Sequence, residues 1–257
     1  MTLFESESQY REKATIWRVF SLLPLYAALA GGHIWRWFAI NIPMYLGTGG
    51  EFTSDIDILA RLYDFPRSQE WIYRTWEVKV SLLSKDGTAR SLKSGKITRT
   101  IKQLRAYREF GSPDVSLLDI YLCEAGFMSQ NVFPPSSLKD AITAKIAELS
   151  EDGFGYQLLP FEHGKDGDVD VGLLAISPNG NPLLTTFNIL PAFPFRPRDP
   201  FARLVHRIDQ FFEQLPDRSH NHNKQIVFCR DCRRLQLISM REGYTCPNCQ
   251  SNLILQS

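Results

Sequence analysis

Residues 50–60 read GEFTSDIDILA, residues 75–83 read TWEVKVSLL, and IKQLRAY follows at 101–107. Strand side chains alternate with period two, so the first stretch sets Asp55 and Asp57 on one face and Ile56 and Ile58 on the other. The second sets Glu77 and Lys79 opposite Trp76, Val78 and Val80. Two neighbouring strands with apolar inner faces that also gather carboxylates and a lysine are costly to build, because like charges and desolvation oppose it. A divalent cation would relieve that cost.

Outward from these strands, Trp71 to Leu83 is rich in Trp, Tyr, Thr and Val and reads as one long strand, broken at Lys85-Asp86-Gly87. A helix is expected from Ser94 as N-cap to Gly111, with Ile97, Ile101, Leu104 and Tyr107 or Phe110 on its buried side. Seven bases (Arg90, Lys93, Lys96, Arg99, Lys102, Arg105, Arg108) recur through 88–108 with no acid among them. At about 3.6 residues per turn, a spacing of three spirals around the helix, so only some of these bases share a face. A buried strand follows at 115–122.

Earlier in the chain, 6–23 has helical spacing (Ile16, Val19, Phe20, Leu23) and carries Glu12. The aromatic stretch 34–46 suits either a helix end or a strand. Later, a helix is expected at 137–149 and strands at 156–161, 171–177 and 183–189, the last two joined by a Pro178-Asn179-Gly180 turn. Four prolines stiffen 191–200, and Asp199-Pro200 opens a helix whose apolar face is Phe201, Leu204, Val205, Ile208, Phe211, Phe212 and Leu215. The whole reads as a mixed α/β core.

The chain has 257 residues, 44% of them hydrophobic, enough for a substantial core, and a formal charge of only +1. Any polyanion-binding surface must therefore come from local clustering such as 88–108. Residues 19–47 are the most hydrophobic, but Pro24, Gly31-Gly32, His33 and Arg36 interrupt them well short of the ~20 apolar residues of a membrane span. No secretory leader is recognisable, so a cytoplasmic location without membrane partners is expected.

Four of the five cysteines form Cys229-x-x-Cys232 and Cys246-x-x-Cys249, thirteen residues apart, while Cys123 stands alone as a small buried residue. Two such pairs supply a closed tetrahedral four-cysteine site for structural Zn²⁺, with no open position for catalysis. The pattern resembles a zinc ribbon over 225–257, with Arg230, Arg233, Arg234 and Arg241 available to nucleic acid or to a protein partner. His220 and His222 read as linker residues, and the acidic loop at 162–170, with His163, as an exposed turn lacking the offsets of a calcium loop.

Phosphodiester hydrolysis needs an ion on a nonbridging oxygen, an activated water and a positive group. Carboxylates suit Mg²⁺ or Mn²⁺, and Asp57 with Glu77-x-Lys79 meets the need. Taken alone, Glu77 and Lys79 would be an ordinary same-face ion pair on a solvated strand. The order SDIDIL, WEVKV, IKQLRAY resembles the PD-(D/E)XK, or restriction-endonuclease-like, nuclease superfamily, and Gln103-x-x-x-Tyr107 resembles its RecB-type branch.

That resemblance covers about 9–122. It implies that Asp57, Glu77 and the carbonyl of Val78 bind catalytic Mg²⁺ or Mn²⁺, and that Lys79 positions or activates the attacking water. Gln103 and Tyr107 would line the site, and Glu12 would match an acidic residue of the first helix. The family's Pro-Asp dipeptide is replaced by Ile56-Asp57. Asp55 is also on that face, and Asp57 is favoured because it precedes the apolar Ile58-Leu59.

The expected organisation is a restriction-endonuclease-like mixed-sheet core flanked by helices at 1–215 (core about 9–122, additional strands and helix 123–215), a linker at 216–224 and a four-cysteine zinc ribbon at 225–257. The expected activity is metal-dependent cleavage of DNA, with RNA also compatible, as in phage defence, restriction, transposition or repair. Lys96, Arg99, Lys102 and Arg105 would contact phosphates. Two other readings fit the same residues: a noncatalytic nucleic-acid-binding or scaffold protein that keeps a nuclease-like fold, and a zinc-stapled protein-interaction subunit.

Overall fold

The computed structural model describes residues 34–49, 54–64, 68–91, 97–124, 127, 133–162, 175–176, 182–183, 187–194, 196–216, 224–239 and 244–253, with backbone alone at 90–91, 161–162 and 175–190. The helix expected at 6–23 with Glu12, the loop at 163–170, and Ser94, Lys96, His220, His222 and Arg241 lie outside the described residues.

Eleven strands and four helices are described. The strands are β1 (Ile34–Pro43), β2 (Asp55–Tyr63), β3 (Trp71–Leu83), β4 (Ala89–Ser91), β5 (Val115–Cys123), β6 (Gly155–Glu162), β7 (Ala175–Ile176), β8 (Pro182–Leu183), β9 (Phe187–Leu190), β10 (Lys224–Cys229) and β11 (Arg234–Ser239). The helices, in chain order, are α1 (Tyr45–Thr48), α2 (Ile97–Phe110), α3 (Ser136–Glu151) and α4 (Asp199–Glu213). Nine strands form one mixed sheet in the order β11-β10-β1-β2-β3-β5-β6-β9, with β4 paired to β3. This is an α/β fold. Among the described residues, no helix is long and apolar enough to cross a membrane.

Two compact units share the described residues, one holding those of 32–77, 101–116 and 193–257, the other those of 78–100 and 117–192. In the first unit, the ambiguous aromatic stretch is a strand. Its run from Trp37 to Pro43 is buried without alternation, as in a strand covered on both faces. β1 pairs antiparallel with β2 and parallel with β10.

The burial of Ile226, Val227, Phe228 and Cys229 explains β10: a six-residue strand apolar on both faces gains most between two neighbours, here β1 and β11. The cysteine-bearing tail is thus built onto the sheet through β10. On α4, Phe201, Leu204, Val205, Ile208 and Phe212 are buried as one face. Trp37 donates its indole N–H to Asp209 Oδ1 at 2.9 Å, and Arg61 pairs with the same carboxylate at 2.5 Å while its guanidinium lies 4.9 Å from the Trp71 ring centroid.

The left-handed turn at Gly111 (φ 104) stops α2. A Cβ there would stand 2.5 Å from Arg198 Cβ and 2.9 Å from its backbone nitrogen, whose N–H donates to the Gly111 carbonyl at 3.2 Å. Only glycine meets both demands.

In the second unit, β4 closes a hairpin with the end of β3. α3 buries Leu138, Ile142 and Leu149 and contacts β6 and β9. The strand expected at 183–189 is divided: β8 pairs with β7, whereas β9 leaves that hairpin to pair with β6. Asp119 is 3% exposed on β5. It accepts from Tyr156 Oη at 2.6 Å and from Lys145 Nζ, so the buried carboxylate is satisfied by a hydroxyl and a cation.

Candidate metal and nucleic-acid site

α2 turns Thr100, Ile101, Leu104, Tyr107 and Phe110 inward, the three- and four-residue spacing of one helix face. Tyr107 is 1% exposed, and its hydroxyl reaches Glu77 Oε2 at 2.6 Å. The backbone N–H of Asp57 donates to that hydroxyl at 3.2 Å, and the Asp55 carbonyl lies 2.9 Å away. A phenol has one proton, and the carboxylate is the stronger acceptor, so it goes to Glu77. Burial, then the charges of Glu77 and Asp57, hold the Tyr107 ionisation well above its usual range. Tyr107 therefore stays a neutral donor at physiological pH.

The acidic face of β2 and β3 is buried, not solvated: Asp57 is 8% exposed and Glu77 1%, beside fully buried Ile56, Ile58, Trp76 and Val78. An ordinary solvated ion-pair face would leave both carboxylates in water. Lys79 stands two positions beyond Glu77 on β3, half-buried, and strand alternation puts the two on one face. Gln103 is half-buried one helical turn before Tyr107, and Arg99, Lys102 and Arg105 are exposed.

Asp55 has a different partner from Asp57. Its Oδ2 lies 2.5 Å from Arg230 Nη2, an ion pair spanning 175 residues of sequence. Arg230 immediately follows Cys229 at the end of β10, so the cysteine knuckle delivers a guanidinium to the first acidic strand. Sequence reading placed Arg230 on the ribbon surface but carried no signal for its partner, since nothing local reports that β10 joins β1. Asn41 lies on β1 between two buried isoleucines, and one polar residue in an apolar run carries no local signal for a site.

The four cysteine sulfurs lie within 4.8 Å of one another, with Cys229 and Cys249 at 3.5 Å and Cys232 and Cys246 at 3.8 Å. Four thiolates at about 2.3 Å from Zn²⁺ in a tetrahedron sit about 3.8 Å apart, and none of these cysteines is in a disulfide. The donor set fits a structural metal such as zinc. Left-handed residues Arg233 (φ 55) and Gln250 (φ 62) close the two knuckles, and Cys246 N–H donates to the Ser251 carbonyl at 2.8 Å. Hydrogen bonding to Ser251 draws the Cys249 thiol down to about 6, while burial pushes Cys246 up to about 12. Cys123, by contrast, is fully buried on β5.

Beside the first knuckle, Tyr45, Leu46, Phe228, Arg230 and Arg233 line an open cleft of about 520 Å³. The Tyr45 and Phe228 rings meet edge to face at 6.0 Å. Two guanidiniums beside two rings offer phosphate contacts and a stacking surface.

Set against family models, curated proteins and solved structures, the chain has no significant match in any of the three. Among the described residues, the cysteines are the only cluster of three or more metal-binding side chains.

Proposed function

We propose that the chain is a divalent-cation-dependent nuclease of the PD-(D/E)XK kind, acting on DNA. The observation that carries this reading is the Tyr107 hydroxyl, which draws the Glu77 carboxylate and the Asp57 backbone to one point inside the protein. Burying the Asp57 and Glu77 carboxylates on adjacent strands carries a desolvation cost, which a hard cation held by oxygen ligands would help to offset. The succession β2, β3, α2, β5, with acid, acid-x-lysine and Gln-x-x-x-Tyr on the first three, also agrees with the resemblance.

Asp57, Glu77 and the Val78 carbonyl would hold Mg²⁺ or Mn²⁺, which supplies Lewis-acid stabilisation of a phosphate oxygen and a more acidic water. Lys79, on the face of Glu77, would orient that water and steady developing negative charge. Tyr107 fixes the Glu77 carboxylate, and Gln103 lines the same helix face. Asp55, paired with Arg230, holds the knuckle against β2. Zn²⁺ on the four cysteines would be structural, with Arg230 and Arg233 in the cleft and Arg99, Lys102 and Arg105 on α2 meeting phosphates.

Incubating the zinc-loaded protein with linear and circular, single- and double-stranded DNA and with RNA, in Mg²⁺ or Mn²⁺, tests the reading. Metal-dependent cleavage of DNA supports it. Salt-sensitive binding without turnover on any substrate would select the noncatalytic scaffold instead.

A further inference from the structure

On β1, Ile40 pairs with Ile58 of β2 and Ile42 pairs with Ile56, so the register sets Asn41 opposite Asp57. Opposed residues of antiparallel strands are nearest side-chain neighbours, with Cβ atoms about 4.5–5.5 Å apart. Asn41 has a φ of 51, in the left-handed region that asparagine enters more readily than most residues. It is 7% exposed. Both Oδ1 and Nδ2 are buried without a hydrogen-bond partner, and among the described residues no other side chain has two such atoms. Buried amides are nearly always paired. A leucine would be strained at this φ, but a glycine would meet it without burying an unpaired amide, so the amide has to answer to something beyond backbone conformation.

We propose that Asn41 completes the acidic site, its Oδ1 serving as a neutral oxygen ligand to the divalent cation beside Asp57 and Glu77. Its Nδ2 then donates to the phosphate oxygen brought to that ion. The inference rests on the reading of Asp57 and Glu77 as metal-binding residues. Amide carbonyls are suitable ligands for such cations. An amide also adds an oxygen without a third negative charge, which would repel an incoming phosphodiester.

The test is calorimetric titration of Mn²⁺ into the zinc-loaded 257-residue chain. Wild type is expected to bind Mn²⁺, and Asp57→Asn to lose it. Asn41→Gly suits the left-handed backbone and removes only the amide, so its melting temperature should hold or rise while Mn²⁺ affinity falls by about tenfold or more. Asn41→Asp, which tolerates the same φ, should bind Mn²⁺ more tightly than wild type. Affinities of Asn41→Gly and Asn41→Asp both within about twofold of wild type, a difference below about 0.5 kcal/mol, would overturn the role of Asn41 and leave the acidic site standing. No Mn²⁺ uptake by wild type would overturn both. Should Asn41→Gly fail to fold, the Asn41→Asp affinity decides alone.

Discussion

The hydroxyl of Tyr107 donates to the Glu77 carboxylate at 2.6 Å, joining α2 to β3 inside the protein. Tyr107→Phe keeps the ring and its packing but leaves the buried Glu77 oxygen without that donor. The expected cost is about 1–3 kcal/mol, read as a lower urea midpoint. Cleavage should also fall, because the Glu77 carboxylate loses the contact that fixes it.

Alkaline stability follows from the same tyrosine. Tyr107, Tyr121 and Tyr156 all have ionisations raised above the usual range, chiefly by burial. In the unfolded chain they release protons near pH 10, while the folded chain still holds them. Stability is therefore fully present below about pH 10 and declines as pH rises toward the folded-state values. Unfolding followed from about pH 8 to about pH 11.5 should show that decline, and Tyr107→Phe should make it shallower without abolishing it.

The metal-binding prediction concerns the tail. One zinc per chain is expected, and Cys232→Ser should lose it. Because Cys229 ends β10, which pairs with β1, loss of the metal should lower the melting temperature of the sheet as well as loosen the knuckles. Metal analysis alongside calorimetry checks both. A melting curve unchanged on zinc removal would mean that β10 is held by its strand pairings alone.

Asp119 makes a further stability prediction. It satisfies Tyr156 and Lys145 at once, so Asp119→Ala should cost about 1–3 kcal/mol by removing the carboxylate acceptor of the buried Tyr156 hydroxyl. Lys145→Met should cost less than Asp119→Ala, because Lys145 is 27% exposed and the carboxylate keeps its tyrosine donor. Urea denaturation of the two variants ranks them.

Much of this was legible in the chain because it is local. β3 runs from Trp71 to Leu83 as its composition suggests, and α2 ends at Gly111 as the glycine requires. The alternation of Asp55, Ile56, Asp57 and Ile58 placed the acids on β2. What local patterns do not carry is pairing between distant segments. Neither the insertion of β10 beside β1 nor the Arg230–Asp55 ion pair has a sequence signal, and both depend on where strand edges meet. Glu77 and Lys79 taken alone fit a solvated ion-pair face, whereas Glu77 is buried with its carboxylate against the Tyr107 hydroxyl. At Asn41 the signal was one polar letter in an apolar strand, and its meaning depends on Asp57 across the register.

For the basic surface, Lys102→Ala and Arg105→Ala should each weaken DNA binding at all sequences and lower the slope of log affinity against log salt by about 0.9. Binding measured from low to moderate salt checks this, and unchanged slopes would remove α2 from the interface.

The central claim is that Asp57 and Lys79 carry metal-dependent phosphodiester cleavage. Its most direct test is plasmid nicking in Mn²⁺ by wild type, Asp57→Ala and Lys79→Ala, with folding verified by circular dichroism. The account predicts cleavage by wild type and its loss in both folded variants. Nicking at the wild-type rate by Asp57→Ala and Lys79→Ala would contradict it.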